Sequence, residues 1–312
     1  MHTITLTMNP SLEIATSVPR VVDTDKLRCT PEQSAPGGGG INVARVINNM
    51  GGKSIAAFPF GGFTGKRLCT LLEKEGVTIC GTQVESETRQ CFSVHETSTA
   101  RDFRFVLPGH TLSVQDVQMC LDRLRALDPP PRYLVASGSL PPGVPQDFYV
   151  TLGKIAAALG SLFVLDTYGA PLAQALAAGG IYLIKPSLSE LVELTGQKLA
   201  TEQARLNAAQ AIIDAGQSTL VAISLGNQGA LLVSARGAWR AAGIPVQPVS
   251  TVGAGDSFVG GMIWALSRSM ALEDAFRHAI ACATGTVLNG YGQMCQKNQV
   301  LSLCQQVKIT KL

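Results

Sequence analysis

Short apolar, β-branched runs alternate with longer amphipathic stretches through most of this 312-residue chain, and that rhythm constrains the fold more than any other feature. Strands are predicted at Ile4–Met8, Ser54–Phe58, Tyr133–Ser137, Leu162–Asp166, Ile181–Lys185 and Leu220–Leu225. Helices are predicted at Ile41–Met50, Val114–Leu127, Asp147–Leu159 and Glu202–Ala215. Strand, helix, strand in repeated order implies crossover connections, so an α/β fold with a mainly parallel sheet covered on both faces is expected. Several of the strand runs are apolar at every position, as strands buried on both sides should be. Ile14–Ala35 and Glu85–Pro108 break the rhythm. Stretches such as Thr88–His95 and Asp102–Val106 alternate with period two, which predicts strands outside the main sheet with one exposed face. They read either as a flap over a site at the sheet edge or as surface hairpins.

Composition narrows the function classes. Hydrophobic residues make up 46% and charged residues 15%, the balance of a compact globular chain with a large core. A formal charge of +3, with no basic run or basic–aromatic stripe, argues against nucleic acid and against a membrane surface. No apolar segment is long enough to span a bilayer. The first residues lack a basic region ahead of a long apolar run, so a first strand is expected there, not a signal peptide. Eight scattered cysteines without a CxxC pair, and four histidines without HxxxH spacing, suggest a reduced, cytoplasmic protein with free thiols.

Two glycine-rich stretches carry the chemistry. Ser250–Asp256 ends in Gly253-Ala254-Gly255-Asp256 directly before an apolar helical run beginning at Ser257. Small residues there allow a tight turn that aims backbone N–H groups at one point, and a helix N-terminus adds partial positive charge suited to a phosphate or developing anion. A carboxylate at the same point can accept a proton from a hydroxyl, and phosphoryl transfer to an alcohol needs both functions. The plainer reading makes Asp256 a helix cap. The second stretch, Pro36–Arg45, contains four consecutive glycines where a helix begins, so a ligand can approach the backbone closely. Neither stretch is a dinucleotide fingerprint, because GxGxxG between a strand and its helix is missing. The nearest approach to a P-loop, around Gly61–Arg67, has Phe60 in place of the first glycine and Arg67 in place of Ser or Thr.

Taken together, Gly37–Gly62 and Ser250–Ile263 resemble the two signature motifs of the ribokinase-like sugar kinases, the phosphofructokinase B family, and the likeness runs over essentially the whole chain. Lys26–Arg28, Ser137–Gly143, Ser224–Gly226 and Gln228–Ala230 share in it and point to the 6-phosphofructokinase branch. The resemblance implies a single ribokinase-like, doubly wound α/β domain over residues 1–312, with a small β-sheet lid through which a homodimer forms. It makes Asp256 the general base and Gly253, Ala254 and Gly255 the anion hole. Glu13, Lys26, Gly38, Gly39, Asn42, Arg89 and Ser139 become the sugar-phosphate site, with Lys26 and Arg89 as cationic contacts to the existing phosphate. Lys185, Ser187, Ser224, Gly226, Gly229 and Asn289 fall on the ATP side. Glu190 and Asp166 are placed near Mg²⁺, acting through water, and Ser250 and Val252 near a monovalent cation such as K⁺. The implied reaction is ATP plus fructose 6-phosphate giving fructose 1,6-bisphosphate.

Two positions depart from the family pattern. Glu13 stands where Asp is usual, one methylene longer, and misplacement of about 1 Å can cost roughly a hundredfold in rate. Ser187 replaces an Asn and reaches less far. These departures keep other acceptors in view: tagatose 6-phosphate, allulose 6-phosphate or fructose 1-phosphate. Gly39, where kinases of 1-phosphates and of tagatose 6-phosphate typically carry Lys, weighs against a 1-phosphate. A ligand-binding paralogue without turnover is a further reading, opposed by the intact segment before Asp256. A dinucleotide oxidoreductase lacks its fingerprint.

Overall fold

A computed structural model describes residues 3–23 and 25–312. Fourteen strands occur among them. The first seven are β1 (Thr3–Leu6), β2 (Ser11–Val18), β3 (Gln33–Gly37), β4 (Ser54–Phe60), β5 (Thr78–Gln83), β6 (Arg89–Glu96) and β7 (Arg101–Phe105). The rest are β8 (Tyr133–Ser137), β9 (Leu162–Asp166), β10 (Ile181–Ile184), β11 (Ser218–Ser224), β12 (Gly229–Ser234), β13 (Gly237–Ala242) and β14 (Ile309–Lys311).

Ten strands form one sheet in the order β14-β13-β12-β11-β10-β9-β8-β1-β4-β5. From β11 through β5 all neighbours are parallel, and only β12, β13 and β14 run antiparallel at one edge. Residues along β8 show why both faces need cover: Tyr133 and Val135 belong to one buried cluster, Leu134 and Ala136 to the other. Period-two alternation in an all-apolar strand thus divides its side chains between two cores. Helices Val114–Arg125, Phe148–Ala158 and Gly169–Ala178 close one face. Helices Gly39–Asn49, Ala254–Ser267 and Leu272–Val287 close the other. The helix Ala254–Ser267 is apolar nearly all round and is buried from Ser257 to Leu266, as such a helix must be.

The interrupting segments build a separate four-stranded sheet, β3-β2-β6-β7, in which β2 and β6 are parallel and the outer pairs antiparallel. Its strands begin three residues earlier and end two residues later than the first alternating segment suggests, because Ser11 pairs with both Gly37 and Arg89. The strand order of the main sheet reverses at β1, which has β4 on one side and β8 on the other. A crevice opens at the carboxyl ends of strands at such a point. The small sheet follows β1 directly and stands over it.

Candidate active site

Four neighbouring parallel strands deliver polar groups to one rim. Ser137 ends β8, Asp166 ends β9, Lys185 follows β10 and Ser224 ends β11. Lys185 Nζ lies 3.3 Å from Asp166 Oδ1, and both side chains are largely buried. Burial pushes the Lys185 ammonium toward neutrality, but the surrounding charges of Asp166, Glu190 and Asp256 raise its pKa above the ordinary value. Burial raises Asp166 as well, opposed by Lys185. The lysine therefore stays charged in the interior.

Asp256 sits in the first turn of the helix Ala254–Ser267. Its Oδ2 accepts from Asn42 Nδ2 at 2.9 Å, and Ser137 Oγ lies 3.5 Å from its Oδ1. Burial, then the negative charge of Asp166, push the Asp256 carboxyl up to about 6. Gly253 caps the helix in the left-handed region, φ 79°, and supplies no side-chain acceptor. The N–H groups of the first turn have no intrahelical partners, so this terminus offers donors and positive charge. Lys185 adds to that charge: its Nζ would lie 3.2 Å from a Cβ placed on Gly255.

Asn42 reaches Asp256 because two helices come unusually close. A Cβ on Gly260 would lie 2.7 Å from Val46 Cγ1. Gly260 is one turn beyond Asp256, and Val46 one turn beyond Asn42, so contact between one pair aligns the other. Arg45, 4% exposed, fixes the amide orientation. It donates to Asn42 Oδ1 at 3.2 Å, leaving Nδ2 to face Asp256. The same guanidinium makes two bonds to Glu75, at 2.6 and 2.7 Å, and reaches the carbonyls of Pro36 and Gly292.

A cleft of about 250 Å³ lies between this floor and the small sheet. Of the residues singled out for the sugar, it brings together Glu13, Gly38, Gly39, Asn42 and Arg89, and Val252, Gly253 and Asp256 line it with them. Arg89 donates to the carbonyls of Leu107 and Asn9 at 2.7 and 2.9 Å, while its buried Nε has no partner among the described residues. Ser139 follows the cleft-lining Gly138 and accepts from Asn9 Nδ2 at 3.2 Å. Lys26 lies apart, exposed on the loop between β2 and β3. Ser11, Arg104 and Tyr291 also line the cleft. Sequence reasoning missed them. The alternation of β7 marks Arg104, but the signal for Tyr291 is absent because its loop has no period.

On the other side of Asp166, Ser187 and Glu190 form a capping box for the helix Leu188–Thr195. Ser187 N–H donates to Glu190 Oε2 at 2.7 Å, and Ser187 pairs with Ser224 in an isolated parallel bridge. Gly226 opens an exposed turn ending at Gly229, φ 98°. Asn289 spends its amide on Met294 O and Gln299, bracing its own loop. The N–H groups of Val249 and Ser250 both point to Val287 O, which pins the segment leading to Gly253. Among the described residues no cluster of three His, Cys, Asp or Glu side chains forms a metal cage. No helix in the described residues is long and apolar enough to cross a membrane, and all eight cysteines are free.

Comparison with known proteins identifies relatives of the chain in sequence and in fold. The family model described as pfkB family carbohydrate kinase matches residues 8–299. The ATP-dependent 6-phosphofructokinase isozyme 2 of Mycobacterium tuberculosis is 42% identical over 297 residues, covering 95% of this chain and 87% of that protein. Its namesake from Escherichia coli K12 is 39% identical, covering 93% and 94%. A D-tagatose-1-phosphate kinase from Bacillus licheniformis is 31% identical, covering 99% of each. Phosphofructokinase-2 from E. coli, solved in complex with potassium, superposes with a TM-score of 0.93 at 37% identity and 98% coverage of both chains. The tetrameric inhibited form of that enzyme gives 0.92 at 37%, again covering 98% of both. With a family model matched over residues 8–299 and relatives 42% and 39% identical over nearly the whole chain, the chain belongs to the pfkB family of carbohydrate kinases.

Proposed function

We propose that the protein transfers the γ-phosphoryl group of ATP to a ketose phosphate, and that fructose 6-phosphate is the acceptor. The observation that carries this reading is Asp256: a carboxylate with a pKa near 6, oriented by Asn42, at the floor of a cleft that also holds Arg89. Asp256 takes the proton of the attacking sugar hydroxyl as the new O–P bond forms. The β–γ bridging O–P bond breaks, and its electron pair leaves on ADP. Charge developing on the transferred group falls to the N–H groups of Gly253–Gly255 and to Lys185. Mg²⁺, when bound with the nucleotide, neutralises phosphate charge, and Asp166 and Glu190 are the carboxylates that would hold its waters. Ser187, Ser224 and Gly226 face the nucleotide, Gly229 shapes their turn from a buried position against β13, and Ser250 with Val252 face the monovalent cation. Arg89, which lines the cleft, is the cation for the sugar's existing phosphate.

Self-association through the small sheet belongs to the same reading. Phe92 and Phe105 are cross-strand partners on β6 and β7, 38% and 52% exposed. A second chain covering them would make a homodimer, which sedimentation equilibrium measures directly. A cytoplasmic location follows from an ATP-dependent activity and free thiols.

A coupled assay with ATP and a panel of ketose phosphates tests the assignment. Fructose 6-phosphate is expected to give the highest kcat/KM. Preference for tagatose 6-phosphate or a 1-phosphate would transfer the reading to that sugar, and binding without turnover on the whole panel would sink it.

A further inference from the structure

The segment after the helix Leu272–Val287 carries a residue that the phosphoryl-transfer machinery does not use. Tyr291 lines the cleft from the body of the molecule, yet its phenol is engaged entirely by the small sheet. It donates to Glu13 Oε2 on β2 at 2.9 Å and accepts from Ser93 Oγ on β6 at 2.9 Å. A phenol has one proton, so with Ser93 as donor that proton goes to Glu13. Ser11 Oγ holds the other carboxylate oxygen, Oε1, at 2.6 Å. Both oxygens of Glu13 are therefore pinned, each with a lone-pair direction still free for a sugar hydroxyl.

The post is rigid. Arg45 donates to the carbonyl of the next residue, Gly292, at 2.8 Å. A side chain on Gly292 would run into Ala35 on β3, so the loop is seated directly against the small sheet. Burial and then the negative charge of Glu13 raise the Tyr291 pKa far above neutrality, and the phenol remains a donor. The longer arm of Glu13, a departure from the Asp usual in this family, thus meets a partner at the distance the extra methylene brings it to.

We propose that Tyr291 is a specificity-determining positioning residue: by fixing the Glu13 carboxylate it selects the hydroxyl configuration of the ketose phosphate that the cleft accepts. The inference rests on the reading that this cleft binds the sugar. It extends it by making Glu13 and Tyr291 one unit, in which the phenol sets where the carboxylate accepts. A hydrogen bond to a charged group that is lost without replacement changes discrimination between substrates by roughly tenfold or more.

The test is Tyr291→Phe, which keeps the ring and removes only the hydroxyl, with thermal unfolding as the check that the variant is folded. KM for fructose 6-phosphate is expected to rise about tenfold with KM for ATP unchanged. The kcat/KM ratio of fructose 6-phosphate to its C4 epimer tagatose 6-phosphate should shift by a comparable factor. In a Glu13→Asp background, where the shorter carboxylate no longer reaches the phenol, Tyr291→Phe should change these values less than twofold. Equal changes in both KM values, or full additivity with Glu13→Asp, would overturn the proposal in favour of a purely structural latch. If Glu13→Asp alters sugar KM and Tyr291→Phe does not, the inference fails while the cleft assignment survives. If neither variant alters it, both fail.

Discussion

Asn42 donates its side-chain amide to Asp256 at 2.9 Å across 214 residues of chain. That contact joins the two glycine-rich motifs at a single carboxylate, and it depends on the helix packing at Gly260 and on Arg45 behind the amide. A carboxylate with one oxygen held by an amide and the other facing Ser137 is aimed, and a hydroxyl entering the cleft meets it in a set orientation.

Replacing Asp256 by Asn should remove the base and keep the shape. Turnover is expected to fall by about 10² to 10⁴, while calorimetry should find fructose 6-phosphate affinity within about threefold. Near-normal turnover would refute the assigned role. Stability should move the other way. A folded-state pKa raised to about 6 means that Asp256 contributes favourably below the unfolded value of 3.8 and loses that contribution as pH rises through 6. At pH 8 the Asn variant should unfold at an equal or higher temperature than the parent, and the gap should close by pH 4.

The same shift sets the pH profile. A general base works deprotonated, so under the proposed role of Asp256 kcat/KM should fall about tenfold per unit below an acid limb near pH 6. Asp166→Asn removes a like charge and frees the charge of Lys185, both of which lower the Asp256 pKa. The limb should then move to lower pH, whatever happens to the maximum rate. A limb that moves up, or stays, contradicts the stated cause of the shift.

Gly260→Ala is a test of helix contact acting at a distance. The added methyl meets Val46 at 2.7 Å and must push the two helices apart or twist Val46 from its rotamer. Overpacking of this kind costs about 1–3 kcal/mol. Since Asn42 and Asp256 lie one turn away, kcat should fall more than tenfold in the folded variant, measured below its unfolding transition. Full activity with the expected loss of stability would show that the Asn42–Asp256 contact tolerates helix movement.

Arg45→Met removes a buried cation that bonds Glu75, Pro36, Asn42 and Gly292. Breaking such a pair costs about 3 kcal/mol, less than a fully interior pair would, because Glu75 is 35% exposed and can be solvated. Urea denaturation should report that loss. Glu75→Gln should cost less, since an amide oxygen can still accept from the guanidinium.

Much of the architecture was legible in the residues. The helix predicted at Glu202–Ala215 is found at Glu202–Asp214, and the strand at Tyr133–Ser137 at those residues, because apolar periodicity records which side chains leave water. Strands β12, β13 and β14 escaped prediction. β11 to β12 and β12 to β13 are joined by short turns with no α-helix between them, and β14 is a three-residue edge strand that returns after three helices, so none shows the strand–helix rhythm. The parallel edge strand β5 was missed as well.

The site divides along the same line. The glycine turns and the acid at a helix N-terminus are each written within about ten consecutive residues, and the fold class is carried by apolar periodicity along the whole chain. The alternating segments marked strands outside the main sheet without fixing how they pair. Tertiary structure alone decided which groups share a carboxylate. Lys185 meets Asp166, Asn42 meets Asp256, and Tyr291 meets Glu13 across 278 residues, through close helix packing, strand order and a loop with no period of its own. Burial then raised the pKa of Asp256, a property of the surrounding low-dielectric volume that its sequence neighbours do not carry.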